Sequence, residues 1–380
     1  MPVKQKIKSA PRPAQWIEIN FDRLLANLSV IKKMQPRAGV LAVVKANAYG
    51  HGLAATARAL ENHVSFLGVS SLAEVQEIKE HGVETPLLLF GRTFSQELPH
   101  VIRSGARLSV SSLDEAREIS STAKSLGQDV WIHLKVDTGM GRMGMRLEEA
   151  EAVIKKISFL PKLNFEGIFT HFPTAERGDG FMDSQVREFG LLLERLEKKG
   201  FRFKYRHASN SAASLKLHSP IFNLVRPGLM LYGLYPDPSL KSLAQVQPVL
   251  ALSSRIALVK EIQPGDSVGY GRAFVAKSAT TIGVLPIGYS HGYPFQASGK
   301  SQALYKGRRY PIAGRVSMDY TCVDFQGIRP EAGETVTLIG ENGNESITAE
   351  ELASWCGTIP YEIVTRLSSR VPRFYEAEKK

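Results

Sequence analysis

From residue 39 to about residue 230 the chain alternates short apolar runs with amphipathic stretches, and this alternation limits the possible folds more than any other feature. The apolar runs are GVLAVVK, FLGVS, PLLLFG, RLSVSS, VWIHLKVD, NFEGIFTH, YRHAS and NLVRPG. Between them lie helical patterns such as SLAEVQEIKEHG, LDEAREISSTAKSLG and FMDSQVREFGLLLERLEKKG, in the last of which apolar residues recur at three- and four-residue spacing. Gly82, Gly105, Gly127 and Gly200 stand where helices should close. Strand–helix alternation implies a parallel sheet, and about eight units is the number that closes a barrel.

The pattern changes near residue 245. Beyond it come strand-like runs broken by turn signals (LALSSRIALV, PGD, TTIGVLPIG, TVTLIG, GENGN), with SITAEELASWCG as the one helical pattern, capped by Ser346 or Thr348. The expected organisation is α/β. A basic arm spans 1–14, a (β/α)8 TIM-type barrel 15–244, and a mainly β C-terminal domain 245–380; the strand-like WIEIN at 16–20 is a candidate to pair with the last of these. Apolar residues make up 43% of the 380 residues and charged residues 22%, which suits a globular chain. No apolar run reaches the roughly 18 residues of a membrane span. The arm lacks the apolar stretch of a secretory signal. Two cysteines, Cys322 and Cys356, make no disulfide framework or zinc pattern, which fits a reducing cytoplasm. The net charge of +11 is spread along the chain with no basic stripe interleaved with aromatics, so it points to anionic small ligands rather than nucleic acid.

In a parallel barrel, chemistry gathers at the C-terminal ends of the strands. There the first run ends in Lys45, which reads either as an amine nucleophile desolvated in the mouth or as a lysine snorkelling from the rim. The fifth carries Lys135 and Asp137, the sixth ends in His171, the seventh leads into Ser209, Asn210 and Ser211, and the eighth carries Arg226. Convergence of polar groups in one mouth marks a site. NSAAS, opening a helix, reads either as a phosphate seat or as an ordinary N-cap. Gly139, Gly141 and Gly144 form a G-x-G-x-x-G with Glu166 downstream, the pattern of a dinucleotide site. Its place in the fifth unit, and Arg142 where backbone should approach a pyrophosphate, argue against that reading.

The run VVKANAYGHG resembles the cofactor-binding signature of the alanine racemase family. The resemblance continues through HLKVDTGMGRMG, FTHF, HASNSAA, VRPGLMLYG, VGYGRAF, VLPIGYSHGY, GRVSMD, IPYEI and SSRVPRFY, in family order from about residue 16 to 375. It implies a pyridoxal-phosphate (PLP) enzyme, an isomerase interconverting L- and D-alanine and supplying D-alanine for peptidoglycan. It further implies that Lys45 carries the cofactor and acts as one base. Tyr49, Asn210, Ser211, Gly228, Leu229 and Tyr361 would hold its phosphate end. Arg226 would meet the pyridine nitrogen, with His171 beside the ring and linked to Arg226. Arg142 would reach the phenolic oxygen and the substrate carboxylate, steadied by Lys135, which matches a lysine that is often carbamylated. Tyr270 would be the second base and Met318 a backbone donor to the substrate carboxylate. Both would be contributed by the other subunit of a homodimer with shared sites, and Tyr289 and Asp319 would stand in support near the entrance. No metal is implied. Two departures are visible: Ser317 stands where many members have cysteine, and PTAERGD follows His171. Two bases on opposite faces of Cα suit racemisation, and an arginine, which has no acceptor, would leave the pyridine nitrogen unprotonated, whereas barrel decarboxylases of related fold use a carboxylate there. Two other classes compete with a racemase: a barrel that merely carries the cofactor, which would lack the β domain and Tyr270, and an NAD enzyme.

Overall fold

A computed structural model describes residues 12–376, so the first eleven residues of the basic arm lie outside the described residues. The described residues divide into two compact units, one of Arg23–Gln247 and one joining residues 12–22 with 248–376.

In the first unit the eight apolar runs become eight parallel strands: Gly39–Val43, Phe66–Val69, Leu87–Leu89, Arg107–Val110, Val130–Asp137, Leu163–Phe169, Tyr205–His207 and Leu224–Val225. Each pairs with the next, and the eighth pairs with the first (Leu224 with Gly39), so the sheet closes. Closure leaves none of these eight at an edge, and a two-residue strand, Met145–Arg146, adds beside the end of the fifth. The barrel core of Leu41, Phe66, Leu67, Leu88, Leu108, Ile132, Leu134 and Ile168 is fully buried. The helices between strands bury one stripe, as Leu113–Leu126 does with Ala116, Ile119 and Ala123, and Ser112 caps it by accepting from Glu115 N–H. Gly105 and Gly127 end helices at φ 73° and 67°, the left-handed cap only glycine adopts cheaply.

Expectation and structure differ at the last units. The seventh strand is followed by a helix of four residues, Ala213–Lys216, and the eighth only by 3-10 turns at Leu229–Tyr232 and Pro238–Ser242. Helix Phe21–Met34, which precedes the first strand, is tied to that final segment: buried Asn27 donates to the carbonyls of Leu231 and Gln247 and accepts from Gln247 N–H. An early helix thus contacts the segment where an eighth helix was expected.

The second unit is mainly β. Gln15–Asn20 runs antiparallel to Leu250–Arg255 and parallel to Arg373–Glu376. The run LALSSRIALV is two strands, Leu250–Arg255 and Leu258–Ile262, that join different sheets. Thr348, not Ser346, caps helix Ala349–Cys356 by accepting from Glu351 N–H. A second helix, Pro360–Thr365, was not expected; it has proline in its first turn and is too short to display a period. No helix among the described residues is long and apolar enough to cross a membrane.

Candidate active site

The first barrel strand ends at Val43, and Lys45 opens a turn of the wrong hand. Ala46, Asn47, Ala48 and Tyr49 all have positive φ, between 51° and 55°. Left-handed backbone costs L-residues roughly 1–2 kcal/mol each, and such strain persists where its surroundings hold it. Two side chains do so here. Glu74 accepts from Ala46 N–H at 2.7 Å, and Asn47 accepts from Leu53 N–H at 2.8 Å. Lys45 is only partly exposed, and burial, then the charge of Arg142, lowers its pKa against the opposing pull of Glu74. An ammonium in such a place gives up its proton more readily than a surface lysine.

Lys135 and Asp137 lie on the fifth strand with His133, at alternate positions that face one way. Burial first, then Arg142 and Arg226, lowers the Lys135 pKa to about 8. Asp137 organises the glycine loop. Its Oδ1 accepts from the N–H groups of Gly139, Met140 and Gly141 at 2.9, 2.7 and 3.2 Å, and its Oδ2 from Arg142 N–H at 3.1 Å. Partial burial works against the ionised carboxyl, but these four donors outweigh it and lower its pKa. The amides a dinucleotide fingerprint would offer to a pyrophosphate are thus turned onto an internal carboxylate. The glycines have steric causes as well: a Cβ on Gly144 would lie 2.7 Å from Asp137 N, and one on Gly139 2.6 Å from the Phe181 ring.

Arg226 is buried, and both of its terminal nitrogens are engaged. Nη2 donates to the carbonyls of Thr170 and Ala208, both at 2.8 Å, and to His171 Nδ1 at 3.1 Å, while Nη1 donates to His207 Nδ1 at 2.8 Å. Burial lowers the Arg226 pKa to about 9, still charged at neutrality. Burial, then Arg226 and the other cations of the mouth, lowers that of His171 to about 3, so the imidazole is neutral. Arginine has no acceptor, so His171 Nδ1 must accept and its proton sits on Nε2. Sequence reasoning missed His133, His207 and Arg107, which continue this network below Arg226 together with Glu166, read in the sequence only as the acid of a dinucleotide pattern; it missed Glu74 as well.

On the other side of the mouth, Ser211 Oγ accepts from the N–H groups of Gly228 (2.9 Å) and Met230 (3.4 Å), at either side of Leu229. The Tyr49 hydroxyl stands where a Cβ on Gly228 would come within 2.5 Å, and its ring stacks on Tyr232 with centroids 5.0 Å apart. Tyr232 donates to Val43 O, fixing the end of the first strand. Asn210 fixes the turn that leads into the short helix Ala213–Lys216, accepting from Ala213 N–H and donating to Phe172 O.

The remaining residues singled out in the sequence belong to the second unit. Tyr270 begins the turn Tyr270–Arg272, is flanked by Gly269 and Gly271 at φ 76° and 69°, and is 74% exposed. The turn packs on Arg315, which leads into Ser317–Tyr320. That segment bonds in turn to Tyr289–His291: Tyr289 N–H donates to Ser317 O, Ser290 N–H to Met318 O, and Ser290 Oγ to Asp319. Tyr270, Tyr289, Met318 and Tyr320 therefore line one connected stretch of loops, and all four are exposed. Tyr361 lies in helix Pro360–Thr365.

Family models for the alanine racemase N-terminal domain and C-terminal domain match residues 19–236 and 249–375. The chain belongs to the alanine racemase family. Membership makes it an amino-acid racemase, an isomerase. It is 40% identical to the alanine racemase of Desulforamulus reducens over 95% of this chain and 98% of that one. Among solved structures it resembles the alanine racemase of Bacillus anthracis with bound L-Ala-P (32% identity, TM-score 0.92, covering 98% and 97% of the two chains). It also resembles the histidine racemase of Leuconostoc mesenteroides (28% identity, TM-score 0.88, covering 97% and 99%).

The residues present suit the family's cofactor. Lys45, Lys135, Arg142 and Arg226 act on one another's or on His171's ionisation as mutually repelling charges, and the acidic groups acting on them, Glu74 and Asp137, are spent on backbone N–H groups. Such a mouth gains from an anion that carries a phosphate and a phenolate. At Gly228 the hydroxyls of Tyr49 and Ser211 gather with the N–H groups of Gly228 and Met230, a set of donors that suits a phosphate.

Proposed function

We propose that this chain interconverts L- and D-alanine, using PLP held on Lys45, in a homodimer whose sites are shared between subunits. The observation that carries the reading is the convergence of Lys45, Lys135, Arg142 and Arg226 around His171 in one barrel mouth, with Arg226 bonded to the imidazole and with burial and Arg142 keeping the Lys45 amine easy to deprotonate. Tyr49, Ser211, Gly228, Leu229 and Tyr361 would hold the phosphate, with Asn210 fixing the turn that carries Ser211. Arg226 would be the partner of the pyridine nitrogen. When bound, PLP supplies the electron sink that makes the substrate Cα acidic.

The residues divide the remaining work. Arg142, held by Asp137, and the backbone N–H of Met318 bind the substrate carboxylate and orient Cα. Lys45 Nζ takes or returns a proton on one face of Cα, and Tyr270 Oη from the second subunit does so on the other. A phenol has an ordinary pKa of about 10, so its use near neutrality calls for a donor beside it. The Nε2–H of His171, whose tautomer Arg226 dictates, suits that need. Arg226 donates and has no proton to lend at neutrality, so it would leave a ring nitrogen bonded to it unprotonated, which would keep the sink modest and favour return of the proton at Cα over side reactions. Lys135, with a pKa of about 8, is partly a neutral amine, the form that adds carbon dioxide. A carbamate there would replace one of four clustered positive charges by a negative one beside Arg142. The exposed stretch carrying Tyr270, Tyr289, Met318 and Asp319 supplies the face for the second copy. A cytoplasmic enzyme making D-alanine for peptidoglycan fits this chemistry.

The test is subunit mixing. Lys45→Ala and Tyr270→Ala homodimers should each lose racemisation, measured by chiral chromatography. After subunit exchange, hybrids with one doubly defective and one intact site should regain about half of the wild-type rate per hybrid dimer, by the geometry of a two-fold interface. No recovery after confirmed exchange would place both bases on one chain.

A further inference from the structure

Below Arg226, inside the barrel, lies a line of buried groups that the reaction just described does not use. His207 Nε2 is 2.8 Å from His133 Nδ1, His133 Nε2 is 3.3 Å from Glu166 Oε2, and Arg107 Nε donates to the same carboxylate oxygen at 3.1 Å. His133 and His207 are completely buried and bond to each other directly. Both ends of the line permit one role only. Arg226 donates to His207 Nδ1, so that nitrogen accepts and the His207 proton sits on Nε2. It is therefore given to His133 Nδ1, and the His133 proton sits on Nε2, aimed at an acceptor-only carboxylate. Burial opposes charge on Glu166, but its bonds from His133 and Arg107 prevail and keep it ionised.

We propose that Glu166, anchored by Arg107, is a positioning residue: it fixes a one-way hydrogen-bond chain through His133 and His207 that locks both histidines as Nε2–H tautomers and seats the Arg226 guanidinium. This rests on the reading that Arg226 partners the cofactor's ring nitrogen. With the direction reversed, a His207 Nδ1–H would face Arg226 Nη1, two donors at 2.8 Å, and the guanidinium would be driven from its seat. Two local features are built around the line. The pairing of the fifth and sixth strands slips by one between Ile132 and His133, whose partners are Phe165 and Gly167, so Glu166 is the extra residue of a β-bulge. Bulges re-aim side chains, and this one turns a carboxylate into the barrel. Gly167 leaves room for the imidazole, since a Cβ there would lie 2.5 Å from His133 Nδ1.

The experiment uses the full chain labelled with 15N-histidine, before and after loading with PLP, with signals assigned by their loss in His133→Gln and His207→Gln. In wild type both residues should appear as single Nε2–H tautomers. Glu166→Gln keeps an acceptor oxygen and should retain them. Glu166→Leu should give mixed tautomers and lower kcat roughly tenfold, the loss of about one buried charged hydrogen bond, while alanine KM and PLP content stay near wild type. An Nδ1–H form or an imidazolium at either histidine in wild type overturns the proposal, as does an unchanged kcat in Glu166→Leu. If Glu166→Leu fails to fold, the wild-type tautomers and the Gln variant decide. Racemisation and PLP uptake by wild type, measured on the same sample, test the functional reading separately.

Discussion

Replacing Asp137 by asparagine changes a single atom, yet the structure assigns it a specific consequence. Asparagine keeps an oxygen for the N–H groups of Gly139, Met140 and Gly141 but places an amino group where Oδ2 accepts from Arg142 N–H at 3.1 Å. A donor would then face a donor, and the Arg142 end of the loop should detach. A hydrogen bond to a charged group contributes about 1.5–3 kcal/mol when buried, and because Asp137 is partly exposed we expect about 1–2 kcal/mol here. For a unit of this size that lowers Tm by about 2–8 °C. Loosening Arg142 should raise the alanine KM by up to roughly tenfold, since 1.4 kcal/mol is a factor of ten, with a smaller change in kcat. The pH dependence has a definite sign. The folded pKa of Asp137 is lowered, so its stabilisation is present above the ordinary carboxylate pKa and is lost as pH falls through the folded value. Thermal melts of wild type and variant should therefore differ at neutral pH and converge in acid. An Asp137→Asn chain with wild-type Tm and KM at pH 7 would refute the argument that this carboxylate holds the loop.

In the same loop, Gly144→Ala should destabilise by more than about 2 kcal/mol, because its Cβ meets the backbone of Asp137 and Val136 at 2.7 and 2.9 Å. Gly141→Ala, with nothing within 4 Å, should cost only the left-handed backbone penalty of about 1 kcal/mol; chemical denaturation compares the two. Thr348→Ala removes the cap of Ala349–Cys356 and should cost about 1 kcal/mol in the same assay. With bare Lys135, whose folded pKa of about 8 lies below the ordinary 10.5, the unfolded chain binds more protons between those values, so stability rises with pH across that window. Carbamylation should remove that rise and make the alanine KM depend on bicarbonate, and Lys135→Ala should abolish the bicarbonate effect.

What the sequence disclosed and what it hid have physical reasons. Eight apolar runs with intervening periodic helices were legible because buried parallel strands are apolar on both faces. His133, His207 and Glu166 were not, because a polar residue within a strand reads as a solvent-facing position, and the bulge at Glu166 breaks the two-residue alternation that would have placed it on the inner face. The left-handed turn of Ala46–Tyr49 was hidden because none of its residues is glycine; it is imposed from a distance by Glu74, on a different helix. The G-x-G-x-x-G pattern was visible but its cause was not, since the partner of its amides is Asp137, two residues before the first glycine.

The central claim is that Lys45, among all the lysines of the barrel mouth, carries the cofactor. Loading the full chain with PLP, reducing with borohydride and mapping the phosphopyridoxyl mass by peptide sequencing tests it directly. Stoichiometric label is expected on the peptide containing Lys45 and none on that containing Lys135, in protein that converts L-alanine to D-alanine before reduction. Label on Lys135 or on another lysine, or active protein with no label, would contradict it.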